Sequence, residues 1–196
     1  MKKLLALAII VAAGWFYFHQ SPATWRGIPA AKDPVQSTND LPAPFPAGRY
    51  TITPLARYKI TAVTLSRERY RVDPGAELSP IDLALGWGPM SMSSTINELT
   101  FSQSGRWYEY QTKGEPPLEP AAMSSHSANT HCLPANAAVR QQLLAVKRHD
   151  LVTMEGYLVE VTGTDGYHWR SSLTREDTGG GSCEVFWITA MNRKQL

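Results

Sequence analysis

Fifteen apolar residues in a row, Leu4 to Phe18, follow the short positive segment Met1-Lys2-Lys3 and constrain this chain more than any other feature. As a helix the run is about 22 Å long, shorter than the ~30 Å hydrocarbon core of a bilayer. Trp15, Tyr17 and Trp25 supply interfacial anchors, and a bilayer thins to match a short span. A cleaved signal peptide is the alternative, with Val11 and Ala13 as small residues before a cut at Gly14. The run continues through Trp15-Phe16-Tyr17-Phe18, past that point, and this favours an uncleaved anchor over 1–18. By the positive-inside rule the rest of the chain then lies outside the cytoplasm.

Between His19 and Gly48 the composition changes. Six of the fourteen prolines lie here (Pro22, Pro29, Pro34, Pro42, Pro44 and Pro46), with little apolar periodicity. Proline removes backbone donors and favours extended chain, so 19–48 is expected to be a semi-rigid stalk. The remainder, 49–196, is the globular part. In the whole chain 43% hydrophobic and 18% charged residues suit a folded domain, and a net charge of +2 gives no electrostatic case for nucleic acid.

Extended segments dominate the domain. Tyr58, Ile60 and Ala62 share one face of a stretch from Arg57 to Val72 before Val63 and Leu65 take the other, a phase slip typical of a bulge. Val152, Met154 and Leu158 oppose Tyr157, Val159 and Val161, with the change at Gly156, where a strand is expected to bend. Residues 98–103 and 106–111 around Ser104-Gly105 read as a hairpin. Tyr167–Thr174 and Glu184–Met191 complete the strands. Ser79-Pro80-Ile81-Asp82 carries the pattern of a helix start, ended by Gly86-Trp87-Gly88-Pro89. Asn136 caps a second helix whose Val139, Leu143 and Val146 form one stripe. The expected fold is α+β: six or seven mostly antiparallel strands, barrel-like and possibly of the OB type, with two or three short helices.

Chemistry-bearing side chains concentrate in Ser124–Pro134. A nucleophilic site can be drawn with Cys132 or a serine attacking, His126 or His131 as base and Asp177 orienting it, although no nucleophile-elbow pattern occurs. His126 and His131 with Cys132 or Cys183 have ligand chemistry for zinc or copper. Their spacing suits neither a helix face nor a strand face, and no metal or other cofactor is expected. Cys132 and Cys183 are candidates for a disulfide, which an extracytoplasmic compartment permits. Arg67, Arg69 and Arg71 alternate along one strand face as a candidate anion or lipid-headgroup site. Arg170 and Arg175 flank the Gly179-Gly180-Gly181 loop as a second candidate anion-binding edge.

Gly86-Trp87-Gly88-Pro89-Met90-Ser91, Ser125-His126-Ser127-Ala128-Asn129 and Trp169-Arg170-Ser171-Ser172 resemble a group of uncharacterised bacterial envelope proteins with a single N-terminal anchor. The similarity covers most of residues 50–190 and carries no activity with it. It implies the bacterial inner membrane, crossed once by residues 4–18, with the domain in the periplasm beside an envelope protein partner. The expected function is a membrane-tethered binding or assembly module. An extracytoplasmic hydrolase, or a thiol- or metal-dependent enzyme centred on His126–Cys132, is the alternative, and an anion or lipid-headgroup binder is a third.

Overall fold

One strand organises the chain. In the computed structural model, which describes residues 22–196 apart from Pro74 and Thr178, β3 runs unbroken from Tyr50 to Arg69. It is long enough to carry a different main partner on each of its two edges. Its first part lies antiparallel to β8 (Asp150–Gly163) and its last part antiparallel to β4 (Ile81–Gly86). From β4 the pairing continues to β7 (Ser127–Pro134), then to β10 (Glu184–Gln195), which lies parallel to β7 and antiparallel to β8. Because β8 pairs back with β3, these five strands hydrogen-bond in a closed ring. The short strands β1 (Val35–Ser37), β2 (Phe45–Ala47) and β9 (His168–Arg170) add to its edges, so the sheet holds eight strands. A separate hairpin pairs β5 (Leu99–Ser104) with β6 (Trp107–Thr112).

The period-2 pattern decides which residues fill the ring. Tyr58, Ile60 and Ala62 of β3 meet Ile81, Leu83 and Leu85 of β4, Cys132 of β7, Val152, Met154 and Leu158 of β8, and Phe186 and Ile188 of β10. Val63 and Leu65 alternate with that set and pack in a second cluster with Met90, Ile96 and Phe101. β3 does bulge against β4, between Thr64 and Ser66, just beyond the slip expected after Ala62. The face change expected at Gly156 does not occur. β8 alternates through it, with Leu158 still in the ring's core and Val159 and Val161 in a third cluster with Ile52 and Val185. The bulges lie in its partners, between Pro54 and Ala56 of β3 and between Ile188 and Ala190 of β10. A 3-10 turn at Gly88–Ser91 and three short α-helices, α1 (Ser93–Asn97), α2 (Pro120–Ser125) and α3 (Ala137–Leu144), complete the elements among the described residues. The last was legible. The Asn136 side chain accepts from the Val139 amide at 3.0 Å, and Val139, Leu143 and Val146 pack into the ring's core.

Three other expectations need correction. The helix expected after Ser79-Pro80 is strand β4, buried at every position. The Ser79 hydroxyl does donate to Asp82, at 3.1 Å, but at the entry to a strand. A strand covered on both faces loses the alternation that identifies it and reads like any short apolar run. Second, residues 22–48 do not project as a stalk. β1 and β2 pair with β3, the Trp25 indole donates to the Ser91 carbonyl, and Asn97 brackets both the amide and the carbonyl of Ala23. Third, the stretch around His131, left out of the expected strands, is largely β7, between β4 and β10 in the ring. The four strands from these segments raise the number among the described residues to ten. The expected anchor over 1–18 lies outside the described residues. Among the described residues no helix is long and apolar enough to cross a membrane.

Candidate binding site

β4 and β7 pair with Asp82 opposite His131, Ala84 opposite Asn129 and Gly86 opposite Ser127, so these six residues share the face turned away from the ring's core. The β5–β6 hairpin folds over that face. Gln103 donates to Asn129 at 2.9 Å, Tyr108 donates to Ser127 at 2.6 Å, and Asn129 donates to the Arg106 carbonyl at 2.9 Å. The hairpin turns through Gly105 and Arg106, both left-handed at φ 59° and 71°. That is the two-residue turn whose twist matches its strands, and it is costly for a side chain as large as arginine.

What holds Arg106 there is a buried charge cluster. Its Nη1 donates to Asp82 at 2.8 Å and its Nη2 to Asp73 at 2.8 Å and to the Ser79 carbonyl at 3.0 Å. The guanidinium lies 3.7 Å from the centroid of the Tyr70 ring, and the Tyr70 hydroxyl accepts from the Arg106 amide. Asp82 is itself fully buried and takes a third bond, from His131 Nδ1 at 2.8 Å. His131 then packs on Trp169, ring centroids 4.4 Å apart. Beside this cluster a cavity of about 500 Å³ opens between the β3–β4 loop (Asp73, Gly75), the hairpin tip and β9 with the residues before it (Tyr167, Trp169, Arg170). On the other side of Trp107 a second cavity of about 200 Å³ is lined by Tyr110, Asp177, Glu184 and the hydroxyls of Ser124, Thr174 and Ser182.

The proposed catalytic residues are not brought together. His131 sits in the charge cluster. His126 closes α2 at the far end of β7, about 13 Å away along the strand from Ser127 to His131. There its Nδ1 donates to the Ala122 carbonyl at 2.8 Å, and its ring fills the space over Gly88, where a Cβ would come within 2.7 Å. Cys132 points into the ring's core, opposite to His131. Asp177 accepts from the Ser172 hydroxyl at 2.7 Å. Among the described residues no three His, Cys, Asp or Glu side chains converge as a metal site would require. Of the arginine row, Arg67 and Arg69 are exposed at the end of β3, and Arg69 is engaged by the Leu144 carbonyl. The strand ends there, so Arg71 falls outside the row. Arg170 and Arg175 reach the two cavities, each already paired, with Glu160 at 2.9 Å and Glu184 at 2.7 Å.

The disulfide is not formed: both cysteines are free. Cys183 lines the cavities and accepts from the Asn129 amide at 3.6 Å, whereas Cys132 faces the core on the opposite side of the sheet. Burial pushes the Cys183 thiol up to about 11 and that of Cys132 well above its usual value, so neither holds an appreciable thiolate fraction at neutral pH. Alkylation of the non-reduced, denatured chain should therefore add two groups. In the native chain Cys132 should stay unmodified and Cys183 should react slowly. A chain that takes none after denaturation would contradict this arrangement.

Glu184, 2% exposed at its side chain, closes the floor of the smaller cavity. Burial raises its carboxyl to about 7, against the opposing pull of Arg175. The folded chain thus holds this proton more tightly than the unfolded one. The stability it contributes is full below the unfolded value of 4.5 and is lost as pH rises through 7. Glu184→Gln should remove that part of the profile, a difference of about 2 kcal/mol between mildly acidic and mildly basic solution. Urea unfolding of both proteins across this range reads it. Identical pH profiles would contradict it. The comparison cancels His149, which burial lowers to about 4 and whose effect has the opposite sign.

The sequence did not single out Asp82, Asp73 or Tyr167. Asp82 was hidden by the capping pattern around it. Its usable signal was the rarity of a carboxylate inside an otherwise apolar run, which requires a buried partner. Compared with family models, curated proteins and solved structures, the chain matches none of them.

Proposed function

We propose that this chain is a binding module and that the outer face of β4 and β7, with its two cavities, is where it binds. One observation carries the reading: a fully buried carboxylate fixes Arg106 and His131 at the head of an open cavity, with aromatic rings around it. Fixed polar groups among aromatic walls are what ligand sites share, and a site so held loses little entropy on binding. The five-stranded ring, with one parallel pair and α3 between β7 and β8, supports a finer description as an OB-type barrel. In such barrels the middle strands and the loops flanking them form the binding face, and both cavities lie there.

The apolar run supports tethering to a membrane, with the domain on the extracytoplasmic side. Residues from Ala23 onward lie against the domain, which begins a few positions after the apolar run in the sequence. The domain would therefore work at the membrane surface rather than out on a stalk, beside an envelope component. The test compares retention of solubilised envelope material by the immobilised full-length chain and by Trp107→Ala. Trp107 is half-exposed, so the substitution leaves the core intact. At equal melting temperature, retention should fall at least tenfold. Equal retention by both would contradict the assignment of this face.

A further inference from the structure

The two cavities share Trp107 and Cys183 in their linings, which makes them halves of one groove. Its charges decide what it can hold. Every arginine that reaches it is already neutralised: Arg106 by Asp73 and Asp82, Arg170 by Glu160 and Arg175 by Glu184. Asp177 adds a further carboxylate, so three arginines face four carboxylates and the Glu184 carboxyl, which burial leaves partly protonated at neutral pH. A polyanion binds by exchanging its counterions for unpaired cations. Here it would have to break ion pairs beside surplus negative charge. The groove is instead furnished with ring faces and hydroxyls. Trp107 is 47% exposed between the halves, Trp169 and Tyr167 line the larger, and Tyr110 lines the smaller with three hydroxyl side chains. Aromatic faces cover the C–H faces of a pyranose, while hydroxyl, amide and paired carboxylate groups meet its hydroxyls.

We propose that the groove holds a neutral oligosaccharide, with one ring in the smaller half, the rest in the larger, and Trp107 as the platform between them. This rests on the groove being the binding surface. At about 200 Å³ the smaller half lies below the ~300–1,000 Å³ of whole-ligand sites, which suits a single ring.

The test is calorimetric titration of the full-length chain in detergent with four probes. Chitotetraose and maltotetraose are neutral; an octathymidylate and a heparin tetrasaccharide are anionic. A neutral tetrasaccharide should bind with a Kd that changes less than twofold between low and high salt, since no screened charge is involved. Trp107→Ala should weaken it at least tenfold at unchanged melting temperature. Binding of only the anionic probes, abolished by salt and by Trp107→Ala, would overturn the saccharide and keep the groove. Neutral binding indifferent to Trp107→Ala would overturn both. Silence from all four probes would overturn the saccharide, leaving the groove to be judged by the retention experiment.

Discussion

Asp82→Ala should cost about 3–5 kcal/mol of stability, the range for breaking a buried ion pair from one side. The carboxylate accepts from Arg106, Ser79 and His131, and its side chain is 1% exposed. Alanine leaves a 5%-exposed imidazole without its acceptor and a guanidinium with Asp73 as its remaining carboxylate. Denaturant unfolding gives the number directly. Asp82→Asn keeps the shape and one acceptor, so it should fall between wild type and alanine. A loss below about 1 kcal/mol for alanine would mean that solvent reaches this cluster and compensates it. The substitution should also free the hairpin tip. Arg106 keeps its left-handed backbone at φ 71° because its side chain, amide and carbonyl are all held.

Gly156→Ala should be at least as damaging, although it adds one methyl group. Gly156 lies opposite Tyr58 of β3 and Ile188 of β10, where β10 bulges between Ile188 and Ala190. A Cβ there would stand 2.0 Å from the Trp187 carbonyl oxygen and 3.0 Å from its carbonyl carbon. Both atoms are backbone, so no rotamer change relieves the contact, and β8 and β10 must separate. The cost should exceed about 4 kcal/mol, beyond what ordinary substitutions show. Gly114→Ala is the control: nothing lies within 4 Å of its Cβ, and its effect should stay within about 0.5 kcal/mol. Comparable melting temperatures for the two variants would mean that the ring does not close at Gly156.

These two residues also mark how much of the molecule could be read in advance. The alternation of β8 was legible, with Val152, Met154 and Leu158 on one side and Val159 and Val161 on the other, but it runs through Gly156 without a change of face, and the bulge opposite Gly156 lies in β10. The helix behind Asn136 was legible as well. β4 was not legible: Ile81-Asp82-Leu83-Ala84-Leu85 is covered on both faces, and its one polar residue sat where a helix cap would place it. β7 had a signal of the right period, with Ala128, Thr130 and Cys132 alternating with Ser127, Asn129 and His131. The histidines and the cysteine drew attention to chemistry instead of to alternation. The prolines of 22–48 misled for a related reason. Extended, donor-poor chain reads as a stalk, yet it also suits edge strands, and β1 and β2 are edge strands. Pairings between distant segments, such as Arg106 with Asp82 and Asp73, leave no local trace in sequence. The site therefore emerged only with the fold.

The most direct measurement follows the indole N–H resonances of the isotopically labelled full-length chain as a solubilised envelope glycan extract is added. Trp107 and Trp169 should shift together and saturably, while Trp87, buried in the core, and Trp25, bonded to the Ser91 carbonyl, stay in place. Shifts confined to Trp25 or Trp187, with Trp107 and Trp169 unmoved at saturation, would place binding on another surface and contradict the account.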